Sequence, residues 1–282
     1  MSAQGPAPGD GRTDAATATA SAAVDWSPRQ YLKFAHQRAR PALDLLGGVI
    51  RALSQGGAPR VVFDLGCGTG TTTRLLAERW PAARVTGIDS SAPMLARAPP
   101  GDASIEWLDA DLAAWSPPGD ADLLFSNAAL QWLDNHAQLF PRLLGPLGPG
   151  ALLAVQMPRN YDQLSHENMV AAARSGPWRA RLEPILRAQP VARPEDYFDI
   201  LAAHARELDI WETTYLHALE GEDAVLEWTT GTGLRPYLQA LEGEDRNGFL
   251  AAYGELTRAA YPRRADGRTL FPFRRLFLVA RR

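Results

Sequence analysis

The 282-residue sequence contains one cysteine, Cys67, and one lysine, Lys33. A single thiol leaves no disulfide framework and no thiolate cluster for zinc. The five histidines (His36, His136, His166, His204 and His217) show no tight ligand spacing, so no metal centre is expected. No apolar run approaches the roughly 20 residues that a membrane span requires. Met1 to Val24 is rich in Ala, Gly, Thr, Ser and Pro and has neither the basic start nor the apolar stretch of a secretory leader. A disordered tail over 1–24 and a cytoplasmic protein are therefore expected. An excess of positive charge is also missing: 29 Lys+Arg against 32 Asp+Glu give a net charge of −3. That balance argues against a nucleic-acid partner, and nothing points to an obligate protein partner. Nearly all the positive charge is arginine, whose planar fork suits two-pronged binding of carboxylates.

What is present reads as one α/β domain over 25–282. Ser27-Pro28 leads into a short helix from Trp26 to His36, and a second helix starts near Pro41, with Ala42, Leu46, Val49, Ile50 and Leu53 on one face. Short apolar runs then alternate with helical segments. Strands are expected over 60–65, 83–88, 104–108, 121–125 and 150–155, with helices over 71–80, 93–98 and 136–144. This alternation implies a parallel sheet covered on both faces. From 158 to 207 the chain turns polar and helical, with Pro177, Pro184, Pro190 and Pro194. A strand over 208–217, helices over 224–231 and 244–260, and a last strand over 275–280 complete the pattern. The last strand is expected to add antiparallel.

The segment Asp64-Leu-Gly66-Cys-Gly68-Thr-Gly70 lies where a strand gives way to a helix. Glycines allow a sharp turn and let a ligand approach backbone that carries no Cβ. A dinucleotide fingerprint would place Gly or Ala at 71, where this chain has Thr71, and a phosphate-binding Gly-Lys-Ser/Thr loop is excluded by the lone Lys33. Three polar residues follow the next three strands in order: Asp89, Asp111 and Asn127. Each taken singly is also a reasonable helix cap. Together they lie where open α/β sheets bind ligands, at the carboxyl ends of the strands. The acid-led Gly-x-Gly-x-Gly loop resembles motif I of class I methyltransferases. That likeness implies S-adenosylmethionine, with Asp89 on the ribose hydroxyls, Asp111 on the adenine amino group and Asn127 beside the methyl.

After the fourth strand comes Asn127-Ala-Ala-Leu-Gln131-Trp132-Leu-Asp-Asn-His136. Gln131 and Trp132 offer neutral N–H donors that cannot take a proton, which suits an acceptor that is already anionic. A carboxylate, ionised near pH 7, requires no general base. An arginine on the reacting oxygen would stabilise the ground state more than the transition state, in which that charge is being lost. Arginines are therefore expected on the other carboxylates of a small polycarboxylic acid, Arg40 and Arg235 first, with Arg38, Arg159 and Arg274 behind them.

Several segments resemble the trans-aconitate methyltransferase family: Trp26-Ser-Pro-Arg-Gln-Tyr31, Gln37-Arg-Ala-Arg40-Pro41, Leu130-Gln-Trp-Leu133, Ala154-Val-Gln-Met-Pro158, Asp209-Ile-Trp-Glu-Thr-Thr-Tyr215, Thr232-Gly-Leu-Arg-Pro236 and the terminal Arg275 to Arg281. The resemblance implies a Rossmann-like class I methyltransferase fold, with a mostly parallel seven-stranded sheet, an antiparallel C-terminal strand and helical cap elements. The core would span about 58–157 and 208–282, and the cap or lid 25–55 and 158–207. On the cofactor side it implies Asp64, Gly66, Cys67, Gly68, Gly70, Asp89, Ser90, Met94, Asp111, Leu112 and Asn127. Gln131 and Trp132 would be catalytic, and Tyr31, Arg38, Arg40, His136 and Arg235 would bind the substrate. Two alternatives stay open: an acid presented on a carrier protein, and a cofactor-binding module without catalysis.

Overall fold

The computed structural model describes residues 35–99, 104–186 and 189–282. The tail over 1–24, most of the first helix and Tyr31 lie outside the described residues. A continuous helix α1 (Ala35–Ala52) comes first, with Pro41 inside it. The sequence places a helix start at Pro41, but one proline removes a single N–H and does not by itself end a helix. The face that α1 buries is Ala42, Leu45, Leu46 and Val49, while Ile50 is exposed. Gly48 belongs in the middle of α1 because a Cβ there would lie 2.8 Å from the Trp211 ring.

Strands and helices then alternate: β1 (Val61–Leu65), α2 (Thr71–Arg79), β2 (Arg84–Asp89), α3 (Ala92–Leu95), β3 (Ile105–Asp109), β4 (Leu123–Asn127), α4 (His136–Leu144) and β5 (Leu152–Pro158). Helices α5 (Leu164–Ser175), α6 (Arg179–Leu182) and α7 (Pro194–Leu201) lead to β6 (Glu207–Leu219). Then come α8 (Ala224–Thr230), α9 (Arg235–Ala240), α10 (Gly243–Ala260) and β7 (Thr269–Arg281). The seven strands form one sheet in the order β3-β2-β1-β4-β5-β7-β6. The first five run parallel, and β7 is antiparallel to both β5 and β6. The chain thus has the Rossmann-like methyltransferase architecture, with β7 inserted beside the parallel part.

Both faces of the sheet are covered. Leu45, Leu46 and Val49 of α1 and Leu76 of α2 pack on Val62, Phe125, Ala154 and Phe277. On the other face, Leu139, Phe140 and Leu143 of α4 and Tyr197 and Leu201 of α7 pack on Leu124, Leu153, Val155 and Leu278. The helical cap is divided differently from the sequence-based expectation. Helix α1 is a sheet-covering core helix, whereas α9 and α10 join α5 and α6 in a separate cluster around Met169, Trp178, Leu234 and Phe249. Sequence periodicity shows an amphipathic face but not which partner will cover it. Among the described residues no helix is long and apolar enough to cross a membrane.

Phe277 is fully buried, and its ring stacks on Trp211 at 5.0 Å. Phe277→Ala is expected to cost about 3–5 kcal/mol of stability, the range for truncating a buried aromatic. Urea denaturation checks this. A midpoint equal to the parent's would mean that the α1 face is not a close-packed core.

Candidate active site

At the head of β1 the glycine loop turns through three left-handed residues, with φ of 75° at Gly66, 58° at Gly68 and 77° at Gly70. A Cβ on Gly66 would lie 2.2 Å from Cβ of Ala129, and one on Gly70 would lie 2.3 Å from the Trp107 ring. Those two glycines are needed for close packing as well as for the turn. At Gly68 a Cβ would meet only the flexible tip of Met94, at 3.2 Å. Gly68 therefore presents bare backbone towards Met94, a residue expected on the cofactor side.

Asp89 ties this loop to the end of β2. Its Oδ2 accepts the Gly68 N–H and its Oδ1 accepts the Ser91 N–H, each at 2.8 Å. Asp64, expected to face the cofactor, is buried and accepts the Thr73 hydroxyl at 2.7 Å, so it locks α2 onto the end of β1. Ser126 secures β4 by donating to the Leu65 carbonyl at 2.9 Å. Asp111 is exposed and accepts the Ala113 N–H at 2.8 Å, while Leu112 beside it is buried. Ser90 is exposed at the rim. The buried Cys67 thiol is pushed up by burial first, then by Asp64 and Asp89, and stays protonated. It is a packing residue and not a nucleophile.

Beyond β4 the backbone is strained. Ala128 has φ 54°, a region that residues with a Cβ adopt at a cost. Its N–H donates to the Gln156 carbonyl at 2.9 Å, and its own carbonyl accepts Nε2 of Gln131 at 2.7 Å. Gln131 is buried and spends one amide N–H inside this turn, leaving Oε1 buried with no partner among the described residues. Trp132 is 50% exposed. Asn127 Oδ1, Gln156 Nε2 and Asn160 Nδ2 are likewise buried without a partner among the described residues. Gln156 and Asn127 are register partners on adjacent strands. Buried polar atoms without partners are costly, and those at the strand ends make this the candidate site for a polar ligand.

The expected substrate-binding residues differ in burial and in their local partners. His136 is buried, with Nε2 against the Leu130 carbonyl at 2.9 Å and Nδ1 against the Tyr197 hydroxyl at 2.6 Å. Both ring nitrogens are engaged, and the ring packs against Phe140 and Tyr197. Arg40 is exposed, 3.8 Å from Asp44, and lies over the Tyr215 ring at 5.2 Å. Arg235 heads α9 with Nη2 buried. Arg38 has its backbone in α1, and its side chain lies outside the described residues. Arg159 and Arg274, the second-choice arginines, belong to an ionic cluster with Glu212 and Asp162. Arg275 was not singled out in the sequence. It is buried, donates from Nη1 to Gln156 Oε1 at 3.2 Å and covers the Phe273 ring at 4.7 Å. Its signal was an arginine inside an otherwise apolar run, read as the start of a strand that in fact begins at Thr269. Burial lowers His166 and His217 to about 4, so both rings are neutral near pH 7.

The family model of a methyltransferase domain matches residues 62–150. Trans-aconitate 2-methyltransferase of Azoarcus sp. (strain BH72) is 51% identical over 90% of this chain and 98% of its own length. Trans-aconitate 2-methyltransferase of Rhodopseudomonas palustris (strain BisA53) is 45% identical over 91% of this chain and 99% of its own length. Among solved structures, the Haemonchus contortus phosphoethanolamine N-methyltransferase 2 in complex with S-adenosyl-L-methionine superposes with a TM-score of 0.50 at 17% identity. It covers 84% of this chain and 52% of that one, and at this identity it shares the fold alone.

Burial pushes the Asp64 carboxyl up to about 7; the Thr73 hydroxyl partly offsets this and Asp89 adds to it. A carboxyl raised in the folded state takes up a proton on folding, so its stabilisation is present at low pH and lost as pH rises through about 4 to about 7. Asp64→Asn removes that loss. The variant is expected to gain on the parent as pH rises, by up to roughly 4 kcal/mol above about pH 7. Thermal unfolding from about pH 4 to about pH 8 checks the sign. A parent protein whose Tm stays level with the variant's throughout would show Asp64 to be ionised and stable in place.

Proposed function

The chain belongs to the trans-aconitate 2-methyltransferase family, and from that premise we propose how its residues carry the reaction: a methyl group passes from S-adenosylmethionine to one carboxylate oxygen of trans-aconitate, giving a monomethyl ester and S-adenosylhomocysteine. The observation that carries this reading is the row of functional groups at the carboxyl ends of β1 to β4, with Asp89 bonded to Gly68 on one side and Asn127 Oδ1, buried with no partner among the described residues, on the other. These residues fit the methyl donor. Gly68 offers bare backbone faced only by the flexible tip of Met94, Asp89 a carboxylate for ribose hydroxyls, Asp111 an exposed carboxylate for an adenine amino group, and Asn127 a side-chain carbonyl oxygen without a partner among the described residues. When bound, S-adenosylmethionine supplies a methyl group on a positively charged sulfur.

The rest is positioning. The acceptor is ionised near pH 7, so no proton has to be removed. Consistent with this, His136 is tied up on both nitrogens and no imidazole is assigned to the reacting oxygen. The turn from Ala128 to Trp132 presents neutral polar groups, which orient an oxyanion without over-stabilising it in the ground state. A polar site around a small acid also favours an acceptor free in solution over one held on a carrier protein.

Three outcomes are expected. Incubation with labelled S-adenosylmethionine and a panel of di- and tricarboxylates should give one methyl ester of trans-aconitate, identified by NMR; label in none of the acids would overturn the reading. Asp89→Ala should weaken S-adenosylmethionine binding by about 1–3 kcal/mol, since a charged acceptor of the ribose hydroxyls is lost. Calorimetry measures this, and unchanged affinity in a folded variant would remove Asp89 from the cofactor site. Finally, kcat should be nearly flat from about pH 6.5 to about pH 8.5. His136→Gln should lower Tm while keeping most of kcat, because the histidine serves the Tyr197 and Leu130 contacts; a loss of several orders of magnitude in kcat with the fold intact would show that a proton is moved.

A further inference from the structure

Gln156 is fully buried near the carboxyl end of β5 and is fixed in two places. Its backbone carbonyl accepts the N–H of the strained Ala128 at 2.9 Å, and its side-chain Oε1 accepts Nη1 of Arg275 at 3.2 Å. A guanidinium only donates, so the amide must turn its oxygen to Arg275 and its NH2 elsewhere. That nitrogen, Nε2, is buried with no partner among the described residues. Leaving a buried donor without a partner is costly, so a donor fixed in this way at a strand end points to a ligand that accepts.

The sheet sets where this donor stands. The glycine loop follows β1, Asn127 ends β4 and Gln156 lies in β5, and these strands are neighbours in that order. Asn127 and Gln156 are register partners, so their side chains project from one face, about 4.8 Å apart. It is the face of Phe125 and Ala154, which pack against α1. Asn127 is half-buried and Gln156 fully buried, so the row deepens from β4 to β5. In the reading above, S-adenosylmethionine lies on the β1 side with its methyl group beside Asn127. Gln156 then stands one strand beyond the methyl group, on the side left for the acceptor. The reacting carboxylate is served best by a neutral donor, because its charge is lost in the transition state. Gln131 is placed poorly for this: its Nε2 donates to the Ala128 carbonyl, and the atom it leaves without a partner among the described residues is an acceptor, Oε1. Gln156 presents the opposite polarity.

We propose that Gln156 Nε2 donates to the reacting carboxylate of the acceptor, on the oxygen that does not take the methyl group. The other oxygen forms the new O–C bond as the C–S bond breaks; that electron pair goes to sulfur, and no proton moves. The bonded oxygen becomes the ester carbonyl and remains an acceptor throughout, so one hydrogen bond keeps the carboxylate in line during the transfer. This rests on the carboxylate-methylation reading above and deepens it by naming a donor to the reacting group, a role the sequence assigns to Gln131 and Trp132.

The test separates the two ends of the amide. Gln156→Glu keeps the shape and the oxygen that Arg275 holds but removes the N–H donor. A residue that serves only Arg275 would tolerate this change with full activity, and full activity would overturn the proposal. The expected result is a kcat/KM for trans-aconitate lowered by about 10- to 100-fold, the scale of a lost charged hydrogen bond. S-adenosylmethionine affinity, measured by calorimetry, should be unchanged. Gln156→Met, unbranched and uncharged, should lower kcat itself, because alignment of the reacting oxygen is lost. A raised KM with kcat unchanged would put the amide on a carboxylate that does not react and would equally overturn the assignment. The parent enzyme gives a further readout that needs no variant to fold and no turnover. With its glutamine side chains isotope-labelled and S-adenosylhomocysteine bound, the Gln156 amide proton should move downfield in NMR when trans-aconitate is added. No movement with the acid, or a movement already complete with S-adenosylhomocysteine alone, overturns the proposal. A parent enzyme that methylates none of the acids is a separate result, which overturns the carboxylate reading itself and this donor role with it.

Discussion

Between β1 and β4 the sheet changes the direction in which it is built. The connection after β1 leaves through α2 on one face, and the connection after β4 leaves through α4 on the other. Two neighbouring strands whose loops part in opposite directions leave a crevice at their carboxyl ends, and ligands of open α/β sheets bind there. The seam itself is closed by the buried bond from Ser126 to the Leu65 carbonyl. If β1 and β4 were displaced, the glycine loop and the Asn127 turn would separate, and these two segments must face the same small volume. The other features of the site refine the shape of this crevice.

Holding such a crevice open carries a physical cost that is visible in particular atoms. Burial in the core raises the proton affinity of the Asp64 carboxyl, the Thr73 hydroxyl partly offsets this, and the negative charge of Asp89 adds to it. Ala128 occupies a left-handed conformation that a residue with a Cβ reaches only under constraint from its surroundings. Its N–H is held by the Gln156 carbonyl and its carbonyl by the Gln131 amide, so strand pairing and a local turn together enforce it. Rigid placement of the acceptor oxygen relative to a sulfonium methyl is the rate source in a transfer that moves no proton. Strain concentrated at this turn is consistent with that demand.

The parallel sheet was legible in the sequence because its strands are buried on both faces and read as apolar runs between helices. The glycine loop was legible too, since three left-handed turns in five residues admit little but glycine. Three features were not. Helix α1 shows an apolar face, but whether that face covers a sheet or closes as a lid depends on Trp211, Phe277 and Gly48, which meet it only after folding. His136 stands one turn beyond Trp132 in sequence, yet its partner Tyr197 arrives from a distant helix. Arg275 sits in an apolar strand where arginine reads as a boundary. Only the register of β5 against β7 brings it within reach of Gln156.

Two arginines next to each other in sequence illustrate the last point physically. Arg274 and Arg275 are consecutive on β7, so the pleat sends them to opposite faces. On one face Arg274 meets Asp162 and Glu212, with Arg159 in the same ionic cluster, and charge is balanced locally. On the other, Arg275 donates to the Gln156 amide oxygen and lies over the Phe273 ring. In the proposed site neutral groups gather at the Asn127 turn, and arginines stand farther from it. A polycarboxylate can then be bound tightly through the groups that keep their charge and loosely through the oxygen that loses it. That division is what differential binding of the transition state requires.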